Sequence, residues 1–174
     1  ASTEMEHGLV RLFEEYQSQT ELIPAATTGV YEVQLRNFDT SSKRLGFMLR
    51  LDSDLNTDYG NAPFEDLQPI VRWKIVDSGG DITDWMEDRY SRFYLHRIYH
   101  DAPAGEYIYD WCFALDPDDL LNASGGYNLG HATNPKLVLD FGAVVTAENI
   151  YAHIFVNEYN TIQHVRGDLQ RNFK

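Results

Sequence analysis

The chain has 174 residues, 43% of them hydrophobic and 13% aromatic, a composition that supports one folded domain with its own core and excludes a disordered chain. Acidic residues outnumber basic ones 27 to 14, for a formal charge of −13; with no dense Lys/Arg cluster, no direct nucleic-acid partner is expected. A single cysteine, Cys112, excludes an intrachain disulfide.

Residues 1–20 lack the basic start and apolar run of a secretory signal. No stretch approaches the roughly 20 apolar residues of a membrane-spanning helix. Leu9, Leu12, Phe13 and Tyr16 recur at helical spacing opposite Glu6, Arg11, Glu14 and Glu15, which predicts a short helix over residues 4–17. Such a helix either packs on its own domain or serves as an arm docked on a neighbouring subunit. In the second case, removing residues 1–20 is expected to impair assembly and leave the fold intact. Residues 1–24 are therefore assigned as a helical arm and linker, 25–166 as the β domain, and 167–174 as a polar C-terminal tail.

From Val30 the pattern changes to period two. Tyr31, Val33 and Leu35 form one inward row, and Leu45, Phe47, Leu49 and Leu51 a second; the polar turn between them predicts a hairpin. Val71, Trp73 and Ile75 make the next inward row. Residues 81–99 fit both periods, and Asp84 with Glu87 three residues on suggests a helix start. The expectation is a short helix running into a strand.

Residues 107–166 carry the clearest signal. Tyr107, Tyr109, Trp111, Phe113 and Leu115 alternate with Asp110, Cys112 and Ala114. Leu137, Leu139 and Phe141 follow, then Ile150, Ala152, Ile154 and Val156 opposite Tyr151, His153 and Asn157. Such rows specify strands with one packed face. Seven to nine strands with no βαβ rhythm predict an all-β fold: a single antiparallel jelly-roll sandwich or barrel of about eight strands, with a short N-terminal helix and one helical insertion.

Chemistry is sparse. Asp52, Asp54, Asn56 and Asp58 place oxygens at alternate positions as calcium loops do, but Thr57 stands where the motif wants Gly and Pro63 where it wants Glu. A solvated acidic loop is the plainer reading. Asp116, Asp118 and Asp119 flank a proline and suit a turn. His96 and His100, four apart, could share a metal on a helix, but nothing close by completes a ligand set. No nucleophile elbow and no phosphate loop in a strand-to-helix context occur, so no catalytic residue, cofactor or metal is assigned. Trp73, Trp85 and Trp111 leave room for a carbohydrate- or calcium-dependent binding module, although their positions on inferred core faces favour packing.

The order of features from residue 107 onward resembles the C-terminal half of the jelly-roll domain in major capsid proteins of tailless icosahedral double-stranded DNA viruses with an internal membrane. Phe113-Ala-Leu-Asp-Pro117 matches the family's aromatic strand ending, Ser124-Gly-Gly-Tyr-Asn128 its Ser-Gly loop, and Leu137-Val-Leu-Asp-Phe141 the apolar strand that follows. Ile150-Tyr-Ala-His-Ile-Phe-Val156 before Tyr159-Asn-Thr-Ile162 matches its closing strands. The family's usual subunits hold two barrels; this chain has room for one, and it lacks the Gly-Met-Gly-Gly segment often found near their end. It is more similar to the small, single-barrel capsid proteins of membrane-containing phages and archaeal viruses, including those of thermophilic hosts. The resemblance implies a subunit made in the host cytoplasm and incorporated in the virion. There it would self-associate, or pair with a second jelly-roll protein, into capsomers over an internal membrane. Leu9, Leu12, Phe13, Tyr16, Tyr151 and Phe155 are the expected interface residues.

Overall fold

The computed structural model describes residues 10–38, 40–53, 70–100, 108–119, 123–143, 146–165 and 168–171. Its strands are β1 (Val10–Ile23), β2 (Val30–Gln34), β3 (Ser41–Leu51), β4 (Arg72–Asp77), β5 (Gly80–Asp81) and β6 (Met86–Glu87). After a helical segment come β7 (Ile108–Cys112), β8 (Tyr127–Asn128), β9 (Lys136–Asp140), β10 (Ile150–Val165) and β11 (Asp168–Arg171). All pairing is antiparallel.

One sheet runs β1-β10-β3-β7, with β11 added to β10 and β8 to β3. The other runs β2-β9-β4-β5, with β6 on β4. Between β1 and β4 the chain changes sheet at every step, and it does so again from β9 to β10. The main rungs therefore join strands far apart in sequence. This alternation is jelly-roll connectivity.

The inward rows meet as the alternation predicts, except that Val71, expected inward with Trp73 and Ile75, precedes β4 and is exposed. Leu45, Phe47, Leu49, Ile150, Ala152, Ile154 and Val156 of the first sheet are buried, as are Val33, Trp73, Ile75, Leu137 and Leu139 of the second. At the centre Phe47 stacks on Tyr109 at 4.9 Å and meets Trp73 edge-on at 5.0 Å. The polar tips of Trp73 and Tyr109 are both satisfied by the helical segment. Trp73 Nε1 donates to Ser91 Oγ (2.8 Å), and the Tyr109 hydroxyl to Asp88 Oδ1 (2.7 Å). Aromatic rings with partnered tips fix the sheet separation more sharply than aliphatic packing alone.

Several expectations are corrected. Val10 onward is not helical: residues 10–23 form β1, which pairs rung for rung with β10 from Val10↔Gln163 to Ile23↔Ile150. The helical spacing put Leu12 and Phe13 on one side; in the strand Leu12 is exposed and Phe13 half-buried. A helix that short is marginal by itself, and a complete backbone ladder outweighs its propensity. The first part of that predicted helix, including Leu9, lies outside the described residues.

The predicted hairpin also fails. β2 pairs with β9 while β3 pairs with β10 and β7, so the polar turn carries the chain from one sheet to the other. Asn37, with φ of 65°, helps turn that corner. Two apolar rows satisfy period two equally well when they face each other across a core.

The helical insertion is present but continuous. It is π-type over Tyr90–Leu95 and α-type over His96–His100 (α1), with no strand in residues 93–99. Asp84 and Glu87 lie before it, Glu87 in β6. On β7, Tyr109 is buried and Trp111 packs against the core as predicted, but Leu115 is 90% exposed beyond the strand's end. The other face of β7 is buried too, at Asp110 and Cys112. In the region assigned as a polar tail, residues 168–171 fold back as β11.

Candidate assembly surfaces

A jelly roll has two seams where its sheets meet, and polar side chains close both here. At one seam, Gln19 of β1 takes the place of a missing backbone rung. Its Nε2 donates to the Gln34 carbonyl (2.7 Å) and its Oε1 accepts from the Arg36 N–H (2.8 Å). β1 thus stays an edge strand of its own sheet yet is tied to β2, and Tyr16 and Leu22 remain exposed along it. At the other seam, residues 88–100 fill the gap beside β6 and β7. Asp88, pinned by Arg92 (2.6 Å), receives the Tyr109 hydroxyl there.

The outer face of the first sheet is set by register. Tyr151, His153 and Phe155 alternate with the buried row of β10, so they face outward, opposite Arg50, Met48 and Gly46 of β3. A Cβ on Gly46 would lie 2.3 Å from the Phe155 ring. The glycine therefore leaves the space in which Phe155 lies against the sheet, half-buried. His153 Nδ1 lies 3.0 Å from Thr20 Oγ1 while its Nε2 is buried without a partner. Burial first, and the nearby Arg50 charge second, hold its pKa below 6.5.

Along the same sheet, Lys43 is fully buried. Arg44 opposes Asn157 and Ser42 opposes Glu158, so Lys43 is the extra residue of a β-bulge. Its side chain crosses β10 to form an ion pair with Glu14 of β1, and its Nζ also donates to the Asp119 carbonyl (3.0 Å). Asn157 Nδ2 donates to the second Glu14 oxygen (2.6 Å). One cation thereby ties β3, β1 and the loop after β7. Lys43 belongs to the polar turn expected between Leu35 and Leu45; the bulge breaks the parity it would share with Leu45 and Phe47 and turns it toward Glu14 and Asn157, so no local pattern marked it as buried.

An acidic cleft of about 430 Å³ opens at the β4–β5 turn, lined by Asp77, Asp81, Phe113 and Tyr127 among others. The Phe113 and Tyr127 rings stack at 5.5 Å. Asp77 Oδ1 accepts the N–H of Asn134 and of Ser78, both at 2.7 Å, and the Asn134 bond leads in holding its pKa below the ordinary carboxylate value.

Most of the described interface candidates come together: the register puts Leu12 and Tyr16 of β1 on the same outer face as Tyr151 and Phe155 of the adjacent β10, Tyr16 opposite Asn157 and one step diagonally from Phe155, whereas Phe13 has the opposite parity and is half-buried. Of the calcium candidates, Asp54, Asn56 and Asp58 lie outside the described residues. Asp52 starts a turn in which Ser53 donates twice to Glu148. Asp116 Oδ1 accepts the N–H of Asp118 and Asp119, the turn role expected of it. Among the described residues no three His, Cys, Asp or Glu side chains cluster as metal ligands. Burial pushes the Cys112 thiol up to about 12, so it is inert at neutral pH.

Trp85 corrects its assignment to a core face: Arg72 and Lys74 cover its ring at 4.4 and 4.9 Å. Trp73 is buried and Trp111 packs on the core. Among the described residues, then, no tryptophan offers the open platform a sugar-binding module needs.

No protein-family model matches the sequence, and no curated protein sequence is similar to it. Solved structures are similar in fold. The capsid of the virus PBCV-1 superposes with a TM-score of 0.78 at 18% identity, covering 96% of this chain and 52% of that one. For the Faustovirus major capsid protein the TM-score is 0.71 at 12% identity, over 90% and 34% of the two chains. For the major capsid protein of bacteriophage PM2 it is 0.56 at 10%, over 90% and 46%. The chain thus spans about half or less of the length of the proteins it matches. At these identities the likeness carries the fold: this chain is a single jelly roll of the kind found within those viral capsid chains.

Proposed function

We propose that the chain is a structural subunit of an icosahedral viral shell. It assembles with copies of itself, or with a second jelly-roll protein, into capsomers that enclose an internal membrane. The observation that carries this reading is the extent of the fold match: nearly the whole chain superposes on capsid chains about twice as long or more. Supporting it are the exposed apolar side chains on β1 and on the helical segment, since such patches on a folded domain mark contact surfaces. The interface residues proposed are Leu12, Tyr16, Tyr151 and Phe155, with Phe13 at the β1 edge. Synthesis in the host cytoplasm belongs to the same reading.

The test is quantitative mass spectrometry of density-purified, virus-sized particles from a lysed culture of the source. Hundreds of copies of this chain per particle are expected. Recovery of the chain in the soluble fraction alone, with none in particles, would sink the proposal.

A further inference from the structure

The helical segment differs in chemistry from the rest of the chain. Within residues 88–100 stand three arginines, three tyrosines, a phenylalanine and an isoleucine, with one aspartate and no lysine or glutamate. The chain as a whole carries −13. Enrichment in aromatics and arginine with few acidic residues is the composition of protein–protein contact cores. The side chains are placed to use it. Tyr90, Phe93, Tyr94 and Ile98 are 45–58% exposed on the outside of the segment, while Ser91 and Leu95 anchor its inner side. The wide π turns bring residues four apart into line, so Tyr90 and Tyr94 stack at 5.2 Å. A π segment is rare and is found mostly where function keeps it. Arg89 and Arg97 are exposed on the same segment.

The complementary surface is the acidic cleft at the β4–β5 turn. It offers stacked aromatic rings and the Asp77 carboxylate, while Asp81 on its rim is held in an ion pair by Lys74 at 2.7 Å. The adjoining loop presents exposed Leu115, Asp116 and Asp118, and Ser124 holds it to the cleft wall through its hydroxyl: the Asp116 N–H donates to Ser124 Oγ at 2.9 Å.

We infer that the basic aromatic face of the helical segment docks on the acidic aromatic cleft of a second copy of this chain. The contact is head-to-tail, joining two different surfaces, and can close into a ring. This rests on the shell-subunit reading and names the surfaces that reading leaves open. The occupant is another copy because the cleft and its adjoining loop match the segment in chemistry, with carboxylates at Asp77, Asp116 and Asp118 for the exposed Arg89 and Arg97 and the Phe113–Tyr127 rings for its exposed aromatics. A membrane surface would offer charge and apolar depth but no matched rings, and a nucleic acid would meet the repulsion of the surrounding acidic surface.

The experiment uses the full chain, with Arg97→Glu and Leu115→Arg as exposed single variants checked for unchanged circular dichroism; the Leu115 side chain is 90% exposed. Sedimentation velocity across a concentration series should show association of the parent chain. Each variant alone should associate about tenfold or more weakly, in the range of a central contact residue. Mixing the two variants should restore association, because the helix of the Leu115→Arg copy meets an unaltered cleft on the Arg97→Glu copy, and the Glu and Arg introduced at the alternate junction attract each other. A parent chain that stays monomeric overturns the inference. So does normal association by either variant, or failure of the mixture to pair. Co-sedimentation with anionic phosphatidylserine vesicles that Arg97→Glu abolishes, without self-association, would assign the face to a membrane and overturn it as well. Normal incorporation of Arg97→Glu copies into particles would reject this contact while leaving the shell reading intact. Self-association through the contact by a chain absent from particles would do the reverse.

Discussion

Three residues carry roles that their types alone do not announce. Gly46 owes its place to Phe155, since a methyl group there would sit 2.3 Å from the ring. Gly46→Ala should therefore destabilise the fold by about 1–3 kcal/mol, the usual cost of overpacking. In a double-mutant cycle by urea unfolding, Phe155→Ala should remove most of that penalty; additive losses would mean that the ring is not what constrains the glycine. Lys43 is buried with Glu14, so Lys43→Met, which strands the Glu14 carboxylate, should cost on the order of 3–5 kcal/mol. Replacing both partners, Lys43→Met with Glu14→Leu, should recover much of the loss in the same assay. His153 works through protonation. Its folded pKa lies below 6.5, so the unfolded chain takes the proton first as pH falls, and stability drops below about pH 6.5. Urea midpoints measured at pH 7 and pH 5 should differ less for His153→Gln than for the parent.

At the scale of elements, β1 decides most. A detachable helical arm could be removed without harm, but β1 supplies the buried Ile23, the Glu14 end of the buried ion pair and the Gln19 link across the seam. Deleting residues 1–23 would leave the 16-residue β10 as a bare edge, an invitation to non-native pairing. The expected outcome is loss of soluble monomer and aggregation, read by size-exclusion chromatography. A folded, soluble deletion product would show that β1 is dispensable. The helical segment is the second deciding element. Its inner side satisfies the core tyrosine and tryptophan through Asp88 and Ser91, and its outer side holds the aromatic contact face. Sequence reasoning found that a helix lay here because the apolar spacing is helical. It extended a strand after it because Phe93, Leu95 and Tyr99 also alternate, and only packing beside β6 and β7 chooses between the two periods.

For the whole molecule, both sheets share one core around Phe47, Trp73 and Tyr109, and the principal rungs are long-range in sequence. Unfolding should be all-or-none. Tryptophan fluorescence, reporting Trp73 in the core, and far-ultraviolet circular dichroism should give coincident urea transitions. Separate midpoints would mean that the sheets come apart independently. Refolding should take milliseconds to seconds, as for other domains built on non-local strand pairing.

Period-two alternation over residues 30–51, 107–115, 137–141 and 150–156 by itself determined that the chain is an antiparallel β protein with one core, because burial on a strand is written two residues at a time. It also determined most of the inward rows. Which strand pairs with which was decided only in three dimensions. Alternation says that Val33 and Phe47 face inward, but it is the same whether their strands lie side by side or oppose each other across the core. The tertiary structure likewise turned an amphipathic segment into β1 and placed Lys43 in a bulge. It also brought Asp77 and Tyr127, 50 residues apart in sequence, into one cleft. Each of these depends on contacts between segments remote in sequence, which no local pattern encodes.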